Sequence, residues 1–277
     1  MSVSDLFRSG GGFFLIAGPC VLEDDTLNVG VARTLRRVSE ELALPIVFKA
    51  SFDKANRSSP GSARGPGLEA GLKKLARVRE ETGLPVLTDV HESDQCAPVG
   101  DVVDVLQIPA FLCRQTDLLL AAGATGRPVN VKKGQWMAPH EMRGAAQKLR
   151  AAGAGAVAVT ERGNFFGYGN LVVDMRSFEG LREACDAPVV FDGTHSVQRP
   201  GEGGGVSGGE PRFIPTLVRA ATAAGADALF LEVHPKPESA PSDSTNMLQI
   251  DRLKPLLEQV LAIRAALNLP AGGPQHG

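Results

Sequence analysis

Nothing in this chain provides for stapling, membrane insertion or recruitment by bulk charge. Its four cysteines, at 20, 96, 113 and 185, lie far apart with no Cys-x-x-Cys pair. That excludes a zinc ribbon and a disulfide framework and fits reduced thiols. Net charge is only −2, from 29 basic and 31 acidic residues, so no general field draws in nucleic acid or an anionic membrane. Any anion site must be a local cluster. Long apolar runs are missing too. The one export-like stretch, Phe13 to Leu22, is half the ~20 residues a membrane span needs. Gly18-Pro19 interrupts it, and Glu23, Asp24 and Asp25 follow at once. It reads as a buried strand ending in a turn, and the expectation is a soluble, cytoplasmic protein.

What is present is an ordinary globular composition, 43% hydrophobic and 22% charged over 277 residues, which excludes disorder and coiled coil. Short apolar runs recur at Phe13–Cys20, Ile46–Phe52, Pro85–His91, Val102–Ala110, Pro128–Lys133, Ala156–Gly163, Pro188–His195 and Ala228–Pro235. They are nearly continuous, as strands are when a parallel sheet is covered on both faces. Helical patterns alternate with them: Thr26–Leu42, Leu68–Thr82, Thr116–Ala124, Pro139–Ala152, Phe178–Cys185, Phe213–Ala224 and Met247–Leu267. Ser93–Gly100 is too short for a full helix. Eight β/α units in ~250 residues predict one (β/α)8 TIM barrel spanning 1–277, with a frayed tail at 270–277. A doubly wound open sheet would carry a Gly-rich turn after its first strand, and Gly-Pro-Cys is not one. Two long loops stand out, Asp53–Gly67 and Arg199–Arg212. The second has six glycines and one apolar side chain, Val206. It is expected to be mobile and to order over substrates.

In a barrel, catalytic residues come from the C-terminal ends of the strands. Here those ends carry Cys20, Lys49 with Ser51, Asp89 and His91, Gln107, Lys132 and Lys133, Glu161 and Arg162, Asp192 and His195, and Glu232 with His234. Two groups emerge. Lys49, Lys54, Arg57, Lys132 and Arg162, with Arg64 and Arg114, make a cationic rim that points to an anionic substrate, phosphorylated with or without a carboxylate. Cys20, His195, Glu232 and Asp243 make a donor set for a divalent transition metal. Each also has a plain structural reading: Cys20 a small core residue, His195 a hydrogen-bonded turn histidine, Glu232 a lone acid, Asp243 the cap of a helix starting near Asn246. His91 and His234 read as structural, and Cys96, Cys113 and Cys185 as ordinary thiols.

The stretches FKASFDKANRSS (48–59), RGPGLE (64–69), TDVHE (88–92), DVVDVLQIPAFLCRQTDLL (101–119), NVKKGQ (130–135), RGNFFGYGNLVVDM (162–175), FDGTHSVQ (191–198) and DSTN (243–246) resemble the 3-deoxy-D-manno-octulosonate 8-phosphate synthases. The resemblance runs along nearly the whole chain. It implies condensation of phosphoenolpyruvate with D-arabinose 5-phosphate and water in lipopolysaccharide synthesis. By matching motif, Lys54, Lys132 and Arg162 would clamp phosphoenolpyruvate, Ala110 would line that site, and Lys49 would lie near both substrates. Asn56, Arg57 and Ser58 would take the sugar phosphate, and Asp89 and Gln107 would line the floor. Lys49, Lys54, Asp89 and His195 are the catalytic candidates. Arg114 matches a residue that reaches a neighbouring subunit's sugar phosphate, which implies an oligomer, usually a homotetramer. The family branch with cysteine at position 20 binds one divalent ion per subunit (zinc, iron, manganese or cobalt) through Cys20, His195, Glu232 and Asp243. The related heptulosonate phosphate synthases, which use erythrose 4-phosphate, typically lack the KANRSS sequence of residues 54–59. They are the alternative within enzymes, and a non-catalytic barrel acting as a binding module is the alternative outside them.

Overall fold

The computed structural model describes residues 2–55, 63–166, 169–203 and 206–269, with only the backbone at 201–203, 206 and 207. Eight parallel strands form its centre: β1 (Phe14–Gly18), β2 (Ile46–Lys49), β3 (Val86–Asp89), β4 (Val105–Ile108), β5 (Val129–Lys132), β6 (Val157–Glu161), β7 (Val189–Asp192) and β8 (Ala228–His234). Each pairs with the next, and β1 pairs with β8 from Phe14↔Ala228 to Gly18↔Glu232, so the sheet closes. All eight strands are buried along their full length. This is the (β/α)8 barrel the alternation of patterns predicts.

The covering helices are α1 (Asp25–Leu42), α2 (Leu68–Thr82), α3 (Cys96–Val102), α4 (Thr116–Ala124), α5 (Arg143–Ala151), α6 (Ser177–Cys185), α7 (Ile214–Ala223) and α8 (Leu253–Ala266). Helix α1 shows why they form where they do. The Asp24 side chain caps its first turn by accepting from the Leu27 N–H. Val31, Ala32, Leu35 and Val38 then bury one face at helical spacing. Helix α3 has only seven residues, in keeping with its short segment.

Side chains alternate between the two sides of the barrel wall. Phe13, Leu15, Ile46, Phe48 and Val86 pack outward with the helices. Phe14, Ile16, Val47, Leu87, Val105, Val190 and Phe230 fill the interior. The N-terminal turn Val3–Leu6 closes the bottom, with Leu6 and Phe7 packed into that same interior cluster.

Three expectations are corrected. The helix expected from Met247 begins only at Leu253, because Leu248–Gln249 form a short strand beside Val233 and His234. Asp243 therefore caps no helix at Asn246. The segment expected as the loop Arg199–Arg212 is largely a hairpin, Gln198–Gly203 against Val206–Gly209. Arg199 pairs with Glu210, and Glu210 N–H bonds the Val197 carbonyl. A second small hairpin, Asn164–Phe165 with Leu171–Val172, follows β6. Gly204, Gly205 and the 270–277 tail lie outside the described residues.

Candidate active site

Close backbone approach sets the geometry where β1 ends. A Cβ on Gly18 would lie 2.0 Å from the Lys49 carbonyl oxygen, so only glycine lets β1 and β2 approach there. The chain then turns through Cys20, and Lys49 Nζ donates to the Cys20 carbonyl at 2.9 Å. Lys49 also donates to Glu232 Oε1 at 2.6 Å, and both side chains are buried.

Around this ion pair three groups able to ligate a metal converge, one thiol and two carboxylates. Cys20 Sγ and one carboxylate oxygen each of Glu232 and Asp243 lie within 4.8 Å of one another. The Cys20 thiol donates to Asp243 Oδ2 at 2.9 Å. Burial, then the charges of Asp243 and Glu232, push the thiol well above its usual range. Asp243 has a left-handed backbone, φ 50°, which aspartate tolerates better than most residues. Glu232 Oε2 is buried with no hydrogen-bond partner among the described residues. A buried carboxylate oxygen left bare beside a thiol and a second carboxylate is what a bound cation would relieve. The residues present therefore fit a divalent metal.

His195, expected as the fourth ligand, lies just outside this triplet. Its Nδ1 meets Asp192 Oδ2 at 2.8 Å, and its Nε2 is 3.8 Å from Glu232 Oε1. Held by a carboxylate at one nitrogen, the ring presents the other to the cluster, the usual support for a ligating histidine.

The cationic side of the rim is equally built. Lys132 Nζ donates to Asp192 Oδ2 at 2.6 Å and sits 3.6 Å above the Phe230 ring centroid. Burial lowers its pKa below the ordinary lysine value. Lys54 Nζ donates to Ser51 Oγ at 2.9 Å, and Ser51 donates to Asp89 Oδ1 at 2.5 Å. Burial alone would lower Lys54, but Cys20, Glu232, Asp89 and Asp243 hold its ammonium above the usual range. Asp89 also meets His91 Nε2 at 3.0 Å. Burial would raise Asp89, yet His91, Lys54 and Lys49 hold it well below the carboxylate range. Arg162 is buried and donates through Nη2 to Gln198 at 2.7 Å, while Nη1 has no partner among the described residues.

Gln107 belongs to the floor. It accepts from Asn130, which accepts from Thr160, so a polar layer crosses β4, β5 and β6. Ala110 is buried at the turn after β4. Arg114 is not brought to this rim: it is exposed beside α4. A cavity of about 260 Å³ opens there, bordered by Cys113, Met137, Glu141 and Lys148. Asn56, Arg57 and Ser58 lie outside the described residues. Cys96, Cys113 and Cys185 are free and buried.

Ser51 and Asp192 were among the polar strand ends but were given no role, and Gln198 was not singled out. Asp192 is the hub, accepting from Lys132, from the backbone N–H groups of Thr194 and His195, and contacting the His195 ring. Its place at the end of a strand, before Gly-Thr-His, was the available signal. For Ser51 the signal was its place two residues after Lys49. For Gln198 the signal was its place as the last residue of the matched stretch FDGTHSVQ (191–198), which assigned it no role.

Residues 6–267 match the DAHP synthetase I family. The chain is 56% identical over 258 residues to a 2-dehydro-3-deoxyphosphooctonate aldolase from a Cyanothece species, covering 93% of this chain and 94% of that one. It is 57% identical over 250 residues to the protein of that name from Nitratidesulfovibrio vulgaris, covering 90% and 91%. With the one from Koribacter versatilis it shares 53% over 272 residues, 97% of each. A match over nearly the whole barrel, rim included, means that the chain belongs to the DAHP synthetase I family.

Proposed function

We propose that this protein condenses phosphoenolpyruvate with D-arabinose 5-phosphate and water, giving 3-deoxy-D-manno-octulosonate 8-phosphate and inorganic phosphate. The observation that carries it is the buried cationic rim, Lys49, Lys54, Lys132 and Arg162, in a chain whose relatives at 53–57% identity bear the name of that reaction. Lys49 and Lys132 are already paired with Glu232 and Asp192, but Arg162 is buried with Nη1 unpartnered among the described residues, a cost that an anionic substrate would relieve. Phosphoenolpyruvate brings a phosphate and a carboxylate, and the sugar brings a second phosphate.

Lys132 and Arg162 would clamp phosphoenolpyruvate, and Arg162 Nη1, without a partner among the described residues, offers a donor to one of its anionic groups. Fixing both substrates removes most of the entropic barrier to their encounter. C3 of phosphoenolpyruvate bonds to the sugar aldehyde carbon, whose oxygen takes a proton, and C2 acquires positive character. Water adds at C2 and loses its proton. The resulting hemiketal phosphate expels inorganic phosphate by C–O cleavage, so the atoms balance. Around the reacting carbons, Glu232, Asp243 and Asp192 favour developing positive charge, and the lysines hold the phosphates.

We further propose that the protein is of the metal-dependent branch. Cys20, Glu232 and Asp243 would hold one divalent ion, with His195 Nε2 as fourth ligand and Asp192 behind it. Zinc, iron(II), manganese and cobalt all accept such a set. A bound ion would act as a Lewis acid and orient oxygen ligands. Arg114 would serve a neighbouring subunit of a homotetramer. Its exposure, beside the stacked and half-exposed Phe111 and Trp136, supports an interface there. No described helix is long and apolar enough to cross a membrane; separately, the unpaired cysteines, which fit reduced thiols, support a cytoplasmic location.

The test is phosphate release from phosphoenolpyruvate with arabinose 5-phosphate and, in parallel, with erythrose 4-phosphate, before and after chelation. Release with the five-carbon sugar alone supports the reading. Preference for erythrose 4-phosphate would move the protein to the heptulosonate reaction, and no release with either would indicate a binding module. Full activity after metal removal, verified by elemental analysis, would remove the metal proposal.

A further inference from the structure

Gln198 bridges the cationic and the carboxylate parts of the site. It is the first residue of the hairpin after β7. Its Oε1 accepts from Arg162 Nη2 at 2.7 Å, and its Nε2 donates to Asp243 Oδ1 at 3.1 Å. The polarity of that bridge is forced by its ends. A guanidinium only donates and a carboxylate only accepts. A neutral amide can satisfy both. A carboxylate there would repel Asp243, and an ammonium would repel Arg162.

The bridge is anchored from its own side as well. Gln198 is in register with Gly209 on the opposite hairpin strand. A Cβ on Gly209 would lie 1.4 Å from Asn246 Oδ1, so the hairpin base packs directly on the loop that carries Asp243. Arg162 has little freedom of its own. It is buried, and its Nη1 has no partner among the described residues. With Nη2 held by Gln198, the orientation of Nη1 is fixed before any anion arrives, which reduces the ordering cost of binding.

We propose that Gln198 is a positioning residue of the anion clamp: its amide aims Arg162 Nη1 at phosphoenolpyruvate and ties the clamp to the Asp243 carboxylate. This rests on the reading above that Arg162 holds that substrate. Gln198 itself touches no reacting atom and acts through Arg162.

The experiment is calorimetric titration of phosphoenolpyruvate into the full-length protein, comparing wild type, Gln198→Met, Arg162→Lys and the double variant. Gln198→Met, of similar length but without the amide, should weaken binding about tenfold, the scale of one hydrogen bond to a charged group. In the Arg162→Lys background the same change should cost nothing further, because its target is gone. Gln198→Ala repeats the test if the methionine variant does not fold. The KM for phosphoenolpyruvate should rise while that for arabinose 5-phosphate and the thermal midpoint hold. Equal affinity of Gln198→Met and wild type overturns the proposal, and so do additive losses in the double variant. Wild type that fails to bind phosphoenolpyruvate overturns this and the proposed function together. Wild type that binds it but releases no phosphate with the sugar overturns the function alone.

Discussion

The two ends of this barrel are made from the same eight strands, yet they are chemically opposite. At the N-terminal end Phe7 and Phe14 meet in a tilted contact, ring centroids 4.9 Å apart, over an interior of Ile16, Val47, Leu87, Val105 and Val190. At the C-terminal end, within two or three residues along each strand, lie Lys49, Asp89, Lys132, Asp192 and Glu232, every one of them buried. Phe230 marks the boundary: its ring belongs to the lower cluster, and Lys132 rests on it. The lower end gains stability from apolar burial. The upper end carries charges that attract and repel one another, an arrangement that stores capacity for ligand binding rather than for folding.

Substitutions at the two ends should therefore separate activity from stability. Lys132→Met should lower kcat/KM by on the order of 10³-fold, measured as phosphate release per folded molecule. A loss below tenfold would remove Lys132 from the clamp. Phe14→Ala should do the reverse. It should cost about 3–5 kcal/mol of unfolding free energy, read from denaturant titration, and leave kcat of the folded fraction unchanged. A drop in kcat at full folding would mean that the lower end shapes the site.

Gly18→Ala sits at the junction and should blur the distinction. The added methyl would meet the Lys49 carbonyl. About 1–3 kcal/mol of stability should be lost to overpacking, together with activity as Lys49 shifts against Glu232. Unchanged activity in this variant would show that β1 and β2 can part without disturbing the ion pair.

The smallest effect is a pH dependence. Burial alone would lower the His91 pKa, but its contact with Asp89 raises it above the ordinary imidazole value. A raised folded value means that charged His91 stabilises the fold. That contribution is complete below the unfolded value of about 6.5 and is lost as pH climbs through the folded one. The stability gap between wild type and His91→Gln should therefore be wider at about pH 6 than at about pH 9. A gap constant across that range would mean that His91 adds no charge to the rim.

The strands were legible because a parallel strand covered on both faces needs apolar side chains at almost every position, and local sequence records that need directly. The cationic rim was legible for the converse reason: a run of Val and Ile ending in lysine at one end and starting with none at the other is directional. Asp192 was harder to assign, since its partner Lys132 lies sixty residues away and nothing local shows that the two meet. The hairpin from Gln198 to Gly209 escaped because its pairing uses backbone groups, and its glycines give no alternation to read. Leu248 and Gln249 became strand rather than helix because β8 extends past the rim and offers them a free edge.

The sequence by itself determined the alternation of strand and helix, the closed barrel and the list of chemical groups at one end of it, since each follows from burial pattern and residue type along the chain. Only the tertiary structure decided which of those groups meet. It brought Cys20, Glu232 and Asp243 within one donor's reach, set His195 a step outside them, left Arg114 exposed on the outside and placed Gln198 between Arg162 and Asp243. These pairings join strands far apart in sequence. They are fixed by barrel closure and by close approaches at Gly18, to the Lys49 carbonyl, and at Gly209, to the Asn246 side chain, which no local pattern encodes.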